Sequence, residues 1–314
     1  MSKSQLTKIL EQAVDGALTA EQARKEIGSK YDVRNKNQMA GFQKKFKKRY
    51  EHVIEFHTVH DLYFQMNHAE VGTFYKLVLY LQWDKEGVLI KDGKSMKLKE
   101  LRTITGLGDR QLRKVLNRLE ELGLIIKSGS KKDQEYIVNP MFVRIGNTKG
   151  NKAPFTRLYK KTGRYIQDKL DTKELGFLLK LSLFIDFNTL IIAQDPYEKN
   201  PDKLVPLRVK DIAQQMGDSE QTTKAYIKAL GNAGILYEDG PAGSPLTKKI
   251  FYIHPQLVSR GNEEGDVYAK VMGYFANLHR QMKYDSERDI KAKMNLLIER
   301  CDIAKKAHSK KVTK

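Results

Sequence analysis

Cysteine occurs once in the 314 residues, at Cys301. A single thiol closes no intramolecular disulfide and forms no Cys-x-x-Cys zinc pair, which fits a reducing, cytoplasmic compartment. Long apolar runs are also missing. The most apolar stretch, residues 175–185, is broken by Lys180 and closed by Asp186, too short to span a bilayer. Residues 1–20 alternate charged and apolar side chains and lack the continuous core of a signal peptide. No membrane partner is expected. Acidic residues are scarce: 38 Asp and Glu face 57 Lys and Arg, leaving a net charge of +19. Such an excess binds a polyanion by releasing its condensed counterions, and nucleic acid is the commonest such partner. With 40 % hydrophobic and 30 % charged residues the chain has the balance of a globular protein, long enough for two domains.

Signatures of catalysis are absent as well. Gly93-Lys-Ser95 has the end of a phosphate-binding loop, but residue 88 is valine and Gly87 is out of register. His57-Thr-Val-His60 lacks the spacing of a metal-dependent nicking site, so His57, His60 and His68 read as surface or packing histidines. No catalytic residue, cofactor site or metal ligand is assigned, and the chain is not expected to be an enzyme.

What is present is a duplication. Glu70-Val-Gly72-Thr-Phe-Tyr-Lys76-Leu77-Val-Leu79-Tyr80 aligns with Glu174-Leu-Gly176-Phe-Leu-Leu-Lys180-Leu181-Ser-Leu183-Phe184 at an offset of 104 residues. Each copy reads as a mostly apolar helix packed into a core. After the first, a polar connection (84–94) leads to a short helix at 99–104, a tight turn at 105–108 and a second helix from Asp109 to Leu122. Asp109 is expected to cap it and Gly123 to end it in the left-handed conformation. Leu112, Val115, Leu116, Leu119 and Leu122 share one face, which turns Arg110, Gln111, Arg113, Lys114 and Asn117 outward.

The second copy has a short helix at 210–215, a turn at 216–219, Ser219 as cap, a helix at 220–233 and Gly234 as stop. Its inward face is Thr223, Ile227 and Leu230; its outward face holds Gln221, Thr222, Lys224 and Lys228. Each unit then ends in a hairpin: 124–127 with 135–138, and 235–237 with 249–253. Helix, turn, helix and hairpin form the grammar of a winged helix-turn-helix, whose second helix enters a major groove. Lys131, Lys132, Lys248 and Lys249 sit where wings touch the phosphate backbone.

The chain leaves both hairpins alike, through Val138-Asn-Pro140-Met-Phe-Val-Arg144-Ile-Gly146 and Ile253-His-Pro255-Gln-Leu-Val-Ser-Arg260-Gly261. The second exit, with the acidic stretch 263–266 and the aromatic helix 268–275, resembles the C-terminal signature of RepL-type plasmid replication proteins of firmicutes, and Phe155-Thr-Arg-Leu-Tyr159 is similar to their lead-in. The resemblance implies a plasmid- or phage-encoded protein that binds a replication origin.

The expected fold class is α+β, mostly α: tandem winged helix-turn-helix domains with helical N- and C-terminal extensions. The domains are a helical basic region at 1–50, a first winged helix at 51–148, a basic linker (146–164) and second winged helix within 149–280, and an amphipathic helix with basic tail at 281–314. Phe42 and Phe46 among Lys44, Lys45, Lys47, Lys48 and Arg49 suggest a docked helix with a basic outer side. Ile290, Met294, Leu297, Ile298 and Cys301 form a stripe within Asp285–Cys301 that offers a route to self-association. The expected function is sequence-specific binding of double-stranded DNA by a nucleoid-associated replication initiator, with host replication or transcription proteins as further partners. A transcription regulator of phage or plasmid genes and a non-specific DNA-coating protein are the alternatives. Amide and guanidinium groups on the outward faces favour reading over coating, since they hydrogen-bond base edges.

Overall fold

Two capped helices of eleven residues organise the structure. α2 (His68–Val78) starts at Asn67, whose side chain accepts from the Glu70 N–H while the Glu70 carboxylate accepts from the Asn67 N–H, both at 3.0 Å. α6 (Thr172–Ser182) starts identically at Asp171 and Glu174, at 2.8 and 2.7 Å. Each such box satisfies two of the N–H groups that a helix start leaves over. The glutamate shared by the two sequence copies is therefore a cap.

These helices belong to a computed structural model that describes residues 52–82, 85–130, 133–145, 148, 150–240, 249–260 and 265–283. The chain divides into units at Glu51/His52, and only the second is described. The expected N-terminal helices, Lys131, Lys132, Lys248 and the segment Asp285–Cys301 lie outside the described residues.

In chain order the elements are β1 (His52–Phe56), a 3-10 turn (His57–Val59), α1 (His60–Phe64), α2, β2 (Ile90–Lys91), β3 (Lys94–Ser95), α3 (Leu98–Thr105), α4 (Asp109–Glu121), β4 (Ile125–Ser128), β5 (Glu135–Val138) and β6 (Val143–Ile145). The second half runs β7 (Phe155–Tyr159), α5 (Lys160–Ile166), α6, a 3-10 turn (Pro201–Lys203), α7 (Val209–Met216), α8 (Glu220–Asn232), β8 (Leu236–Asp239), β9 (Ile250–Ile253) and β10 (Val258–Ser259). A helix at 266–283, α9, follows. The architecture thus mixes helices with small antiparallel sheets.

The halves meet across a local two-fold axis. β10, β7, β1 and β6 form one four-stranded sheet in that order. Ile54 and Arg157, the third residues of β1 and β7, pair with each other in an antiparallel register. β6 flanks β1 as β10 flanks β7. Above the sheet, a Cβ on Gly72 would lie 1.7 Å from the Thr172 carbonyl oxygen, and one on Gly176 would lie 1.8 Å from that of His68. Only glycine permits so close a crossing of backbones. A contact in which each half touches the equivalent residue of the other is isologous, the mark of two-fold symmetry. The repeated pattern extends to the lysines that the two copies share. Lys76 Nζ donates to Thr172 Oγ1 at 2.9 Å, and Lys180 Nζ donates to the Met66 carbonyl at 2.8 Å. Each reaches the chain just before or at the start of the opposite helix.

This arrangement corrects the basic linker expected at 146–164. Phe155–Tyr159 is a central strand and Lys160–Ile166 a helix, with Leu158 fully buried and Lys160 only 4 % exposed, its Nζ donating to the Leu81 carbonyl. The alternation Phe-Thr-Arg-Leu-Tyr puts Thr156 and Leu158 toward the core while lysines flank it. One apolar core runs through both halves, so the boundary near 148 separates repeats and not independent cores. The boundary at 280 falls inside α9. The connection at 84–94 is also more than polar loop: Leu89 and Ile90 are buried, and Leu89 N–H donates to the Tyr136 carbonyl.

Candidate nucleic-acid interface

Each repeat carries a helix, a tight turn, a second helix and a hairpin. α3 and α7 end at Gly106 and Gly217, with φ of 71° and 70°, a left-handed step that turns the chain into the next helix at little cost. α4 and α8 are both thirteen residues long and stand 111 residues apart. Ser219 caps α8 as expected, its Oγ accepting from the Thr222 N–H at 3.1 Å. α4 differs. Its cap position is Gly108, and Asp109 is the first helical residue, its carboxylate accepting from Arg102 at 3.2 Å. Asp109 thus ties α3 to α4 instead of capping.

Leu112, Val115, Leu116 and Leu119 bury one side of α4, and Thr223, Ile227 and Leu230 one side of α8; Leu122, at the end of α4, is half-buried. On the opposite side Arg110, Gln111, Arg113, Lys114 and Asn117 are all exposed, as are Gln221, Thr222 and Lys228, while Lys224 is half-buried. Counted from the helix starts, Arg110 matches Gln221, Gln111 matches Thr222, Arg113 matches Lys224 and Asn117 matches Lys228. Among the described residues no carboxylate pairs with Arg110, Arg113, Lys114 or Lys228. Lys224 lies 3.6 Å from Glu220, an exposed pair that holds little energy.

The second repeat has a groove of about 630 Å³ between α8, its hairpin and α9, bounded by Lys224, Lys228, Tyr237, Glu238, Lys249 and Leu278. Lys249 donates to Glu238 at 2.9 Å, so the groove holds three ammonium groups against one carboxylate. Its chemistry suits a phosphate-bearing ligand. In the first repeat the residue that sequence reading missed is Lys127. Its Nζ donates to Asn117 Oδ1 at 2.7 Å and to Glu120 at 2.6 Å, which fixes the Asn117 amide with its N–H groups outward. Lys127 occupies the strand position of Glu238, and a lysine in a short strand carries no local signal of that role.

The second turn is held from across the axis. His68, on α2, has Nε2 2.7 Å from Asp218 Oδ2 in the α7–α8 turn. Burial lowers the His68 pKa more than Asp218 restores it, so the ring is neutral at neutral pH and orients the turn by hydrogen bonding. His57 is buried too, between Tyr197 at 2.6 Å and Thr156 at 2.7 Å. Both are packing histidines. Among the described residues no cluster of His, Cys, Asp or Glu can hold a metal ion, and no helix is long and apolar enough to cross a membrane. The chain matches no protein family, no curated protein and no solved structure.

Proposed function

We propose that residues 52–283 form two winged helix-turn-helix units that read double-stranded DNA, with α4 and α8 as recognition helices. The observation that carries this is the repetition. The same helix–turn–helix–hairpin occurs twice about a local axis, with arginine, lysine and amide groups turned outward on α4 and lysine, amide and hydroxyl groups on α8. One of these positions is cationic in both repeats, Arg113 and Lys224, and in each repeat at least two cations stand on the second helix beside a hairpin. The net charge of +19 supplies the long-range attraction. The biological role we propose is recognition of a plasmid or phage replication origin, supported by the RepL-like exit at 253–261. It needs no catalytic group, metal or cofactor.

Binding of a selected duplex at several salt concentrations tests the reading. With about 6–10 phosphates neutralised, affinity falls by roughly three to five powers of ten between about 50 and 200 mM salt. A flat salt response, or a preference for single strands, sinks it. The origin role stands apart: the selected site must support replication of a plasmid lacking its own origin when the protein is supplied, and a site confined to promoters assigns the protein to transcription.

A further inference from the structure

Among the described residues the second repeat is roofed and the first is bare. α9 lies over the outer face of β8–β9, where Tyr274 stacks on Tyr237 at 5.0 Å and meets Tyr252 edge-on at 5.7 Å. Phe275 is fully buried against His254. His279 Nε2 stands 3.0 Å from the Gly234 carbonyl oxygen. Position for position, the same face of the first repeat is Leu122, Gly123, Ile126, Ile137 and Met141. Ile126 pairs with Ile137 across β4–β5 as Tyr237 pairs with Tyr252 across β8–β9. Yet Ile126 is 46 % exposed and Met141 71 % exposed. Open space stands beside Gly123, where Gly234 has His279 and Met282. The Gly123 carbonyl accepts from Asn139 Nδ2 at 2.8 Å. The bare surface is therefore apolar, with that acceptor already satisfied.

We propose that this face of the first repeat receives residues 285–301 of a second copy of the chain, so that two chains exchange segments in a reciprocal dimer. The internal symmetry says what shape fits: a helix, laid as α9 is laid on the other repeat. Chemistry selects the segment. The aromatic bed of Tyr237 and Tyr252 takes an aromatic stripe, Tyr268, Tyr274 and Phe275. The bed of Ile126, Ile137 and Met141 is aliphatic, and Ile290, Met294, Leu297 and Ile298 recur at helical spacing along 285–301. In sequence that segment follows α9, which ends at residue 283 on the second repeat, whereas the two-fold puts the bare face on the opposite side of the axis. A second copy delivers it without the chain crossing its own axis. Each copy offers one face and one segment, and reciprocal exchange about a two-fold closes the contact at two chains.

Sedimentation of the full chain without DNA tests this. Wild type is expected to be dimeric at micromolar concentration. Ile126→Asp with Met141→Glu, and separately Leu297→Asp with Ile298→Asp, should each weaken the dimer by about a hundredfold or more. Mixing the two variants should restore pairing, because one intact face then meets one intact segment. Circular dichroism reports whether each variant is folded; if the face pair unfolds, Met141→Glu alone, at a largely exposed position, carries the test. A wild type that stays monomeric, a dimer indifferent to either pair of substitutions, or a mixture that remains monomeric overturns the proposal.

Discussion

At the scale of single residues, buried titratable groups set opposing pH dependences. Burial pushes Glu55 up to about 8, with the Tyr63 hydroxyl hydrogen bond partly opposing it. Burial drives His57 down to about 3, aided by Arg260 and His60, and His254 down to about 4, aided by His279. A histidine whose folded pKa is depressed contributes stability above its ordinary value of 6.5 and loses it as pH falls below. Glu55, raised from 4.5, contributes below 4.5 and loses that contribution as pH rises toward 8. Between about 6.5 and 8, among these groups, Glu55 dominates, and stability falls by up to about 1.4 kcal/mol per pH unit. Urea midpoints should therefore peak near pH 6.5, and Glu55→Gln should flatten the alkaline side. A wild type that gains stability from pH 6.5 to 8, or an unchanged slope in the variant, contradicts this. On the outer faces, Arg110→Ala or Arg113→Ala should cost the selected site about 1–3 kcal/mol and spare non-specific DNA. Lys249→Ala should weaken all sequences alike. Identical profiles across a panel of sites would remove α4 from its reading role.

Among elements, the α2–α6 crossing is the most exacting. Alanine in place of glycine within a helix ordinarily stabilises by up to about 1 kcal/mol. At Gly72 and Gly176 the added Cβ would strike a carbonyl oxygen at 1.7 or 1.8 Å, and backbone cannot rotate aside as a side chain can. Gly72→Ala and Gly176→Ala should each destabilise by about 3 kcal/mol or more, the upper range of overpacking. Thermal melts check this, and a neutral effect would mean that the helices are not so close. The helices and hairpins themselves were legible because their apolar spacing and stop signals are local. Legibility failed where the partner is distant. Residues 155–159 read as linker because a five-residue strand between lysines declares itself only through β1, about a hundred residues earlier. Asp109 was misplaced by one position because Gly108 has no side chain to mark the cap. Gly72 and Gly176 were visible as a repeated identity, but not as the point where two backbones meet.

For the whole molecule, the geometry of the proposed DNA site should follow from symmetry and not from a flexible tether. A basic linker would have let the two units read arms in any orientation. Units related by a two-fold present α4 and α8 in opposite senses, so the arms should be inverted relative to each other. Because Arg110, Gln111, Arg113 and Asn117 stand at the positions equivalent to Gln221, Thr222, Lys224 and Lys228, the arms should also differ in sequence. Base-contact footprinting should find one imperfect inverted repeat per chain, its half-sites about one helical turn, ~34–36 Å, apart. Two arms in direct orientation would contradict the rigid arrangement.

The shared sheet and the glycine crossing make this chain, in effect, a dimer spliced end to end. Severed near Gly150, each half would expose a strand edge and an apolar helix made to fit its own equivalent. The two halves, produced together, should reassemble into the native unit. Either one produced alone should pair with itself through β1 against β1, or β7 against β7. Such a half would bind a true palindrome, since both its recognition helices would then be the same. Splicing also frees each repeat to differ in sequence from the other while both keep the contact, as the outward faces of α4 and α8 differ.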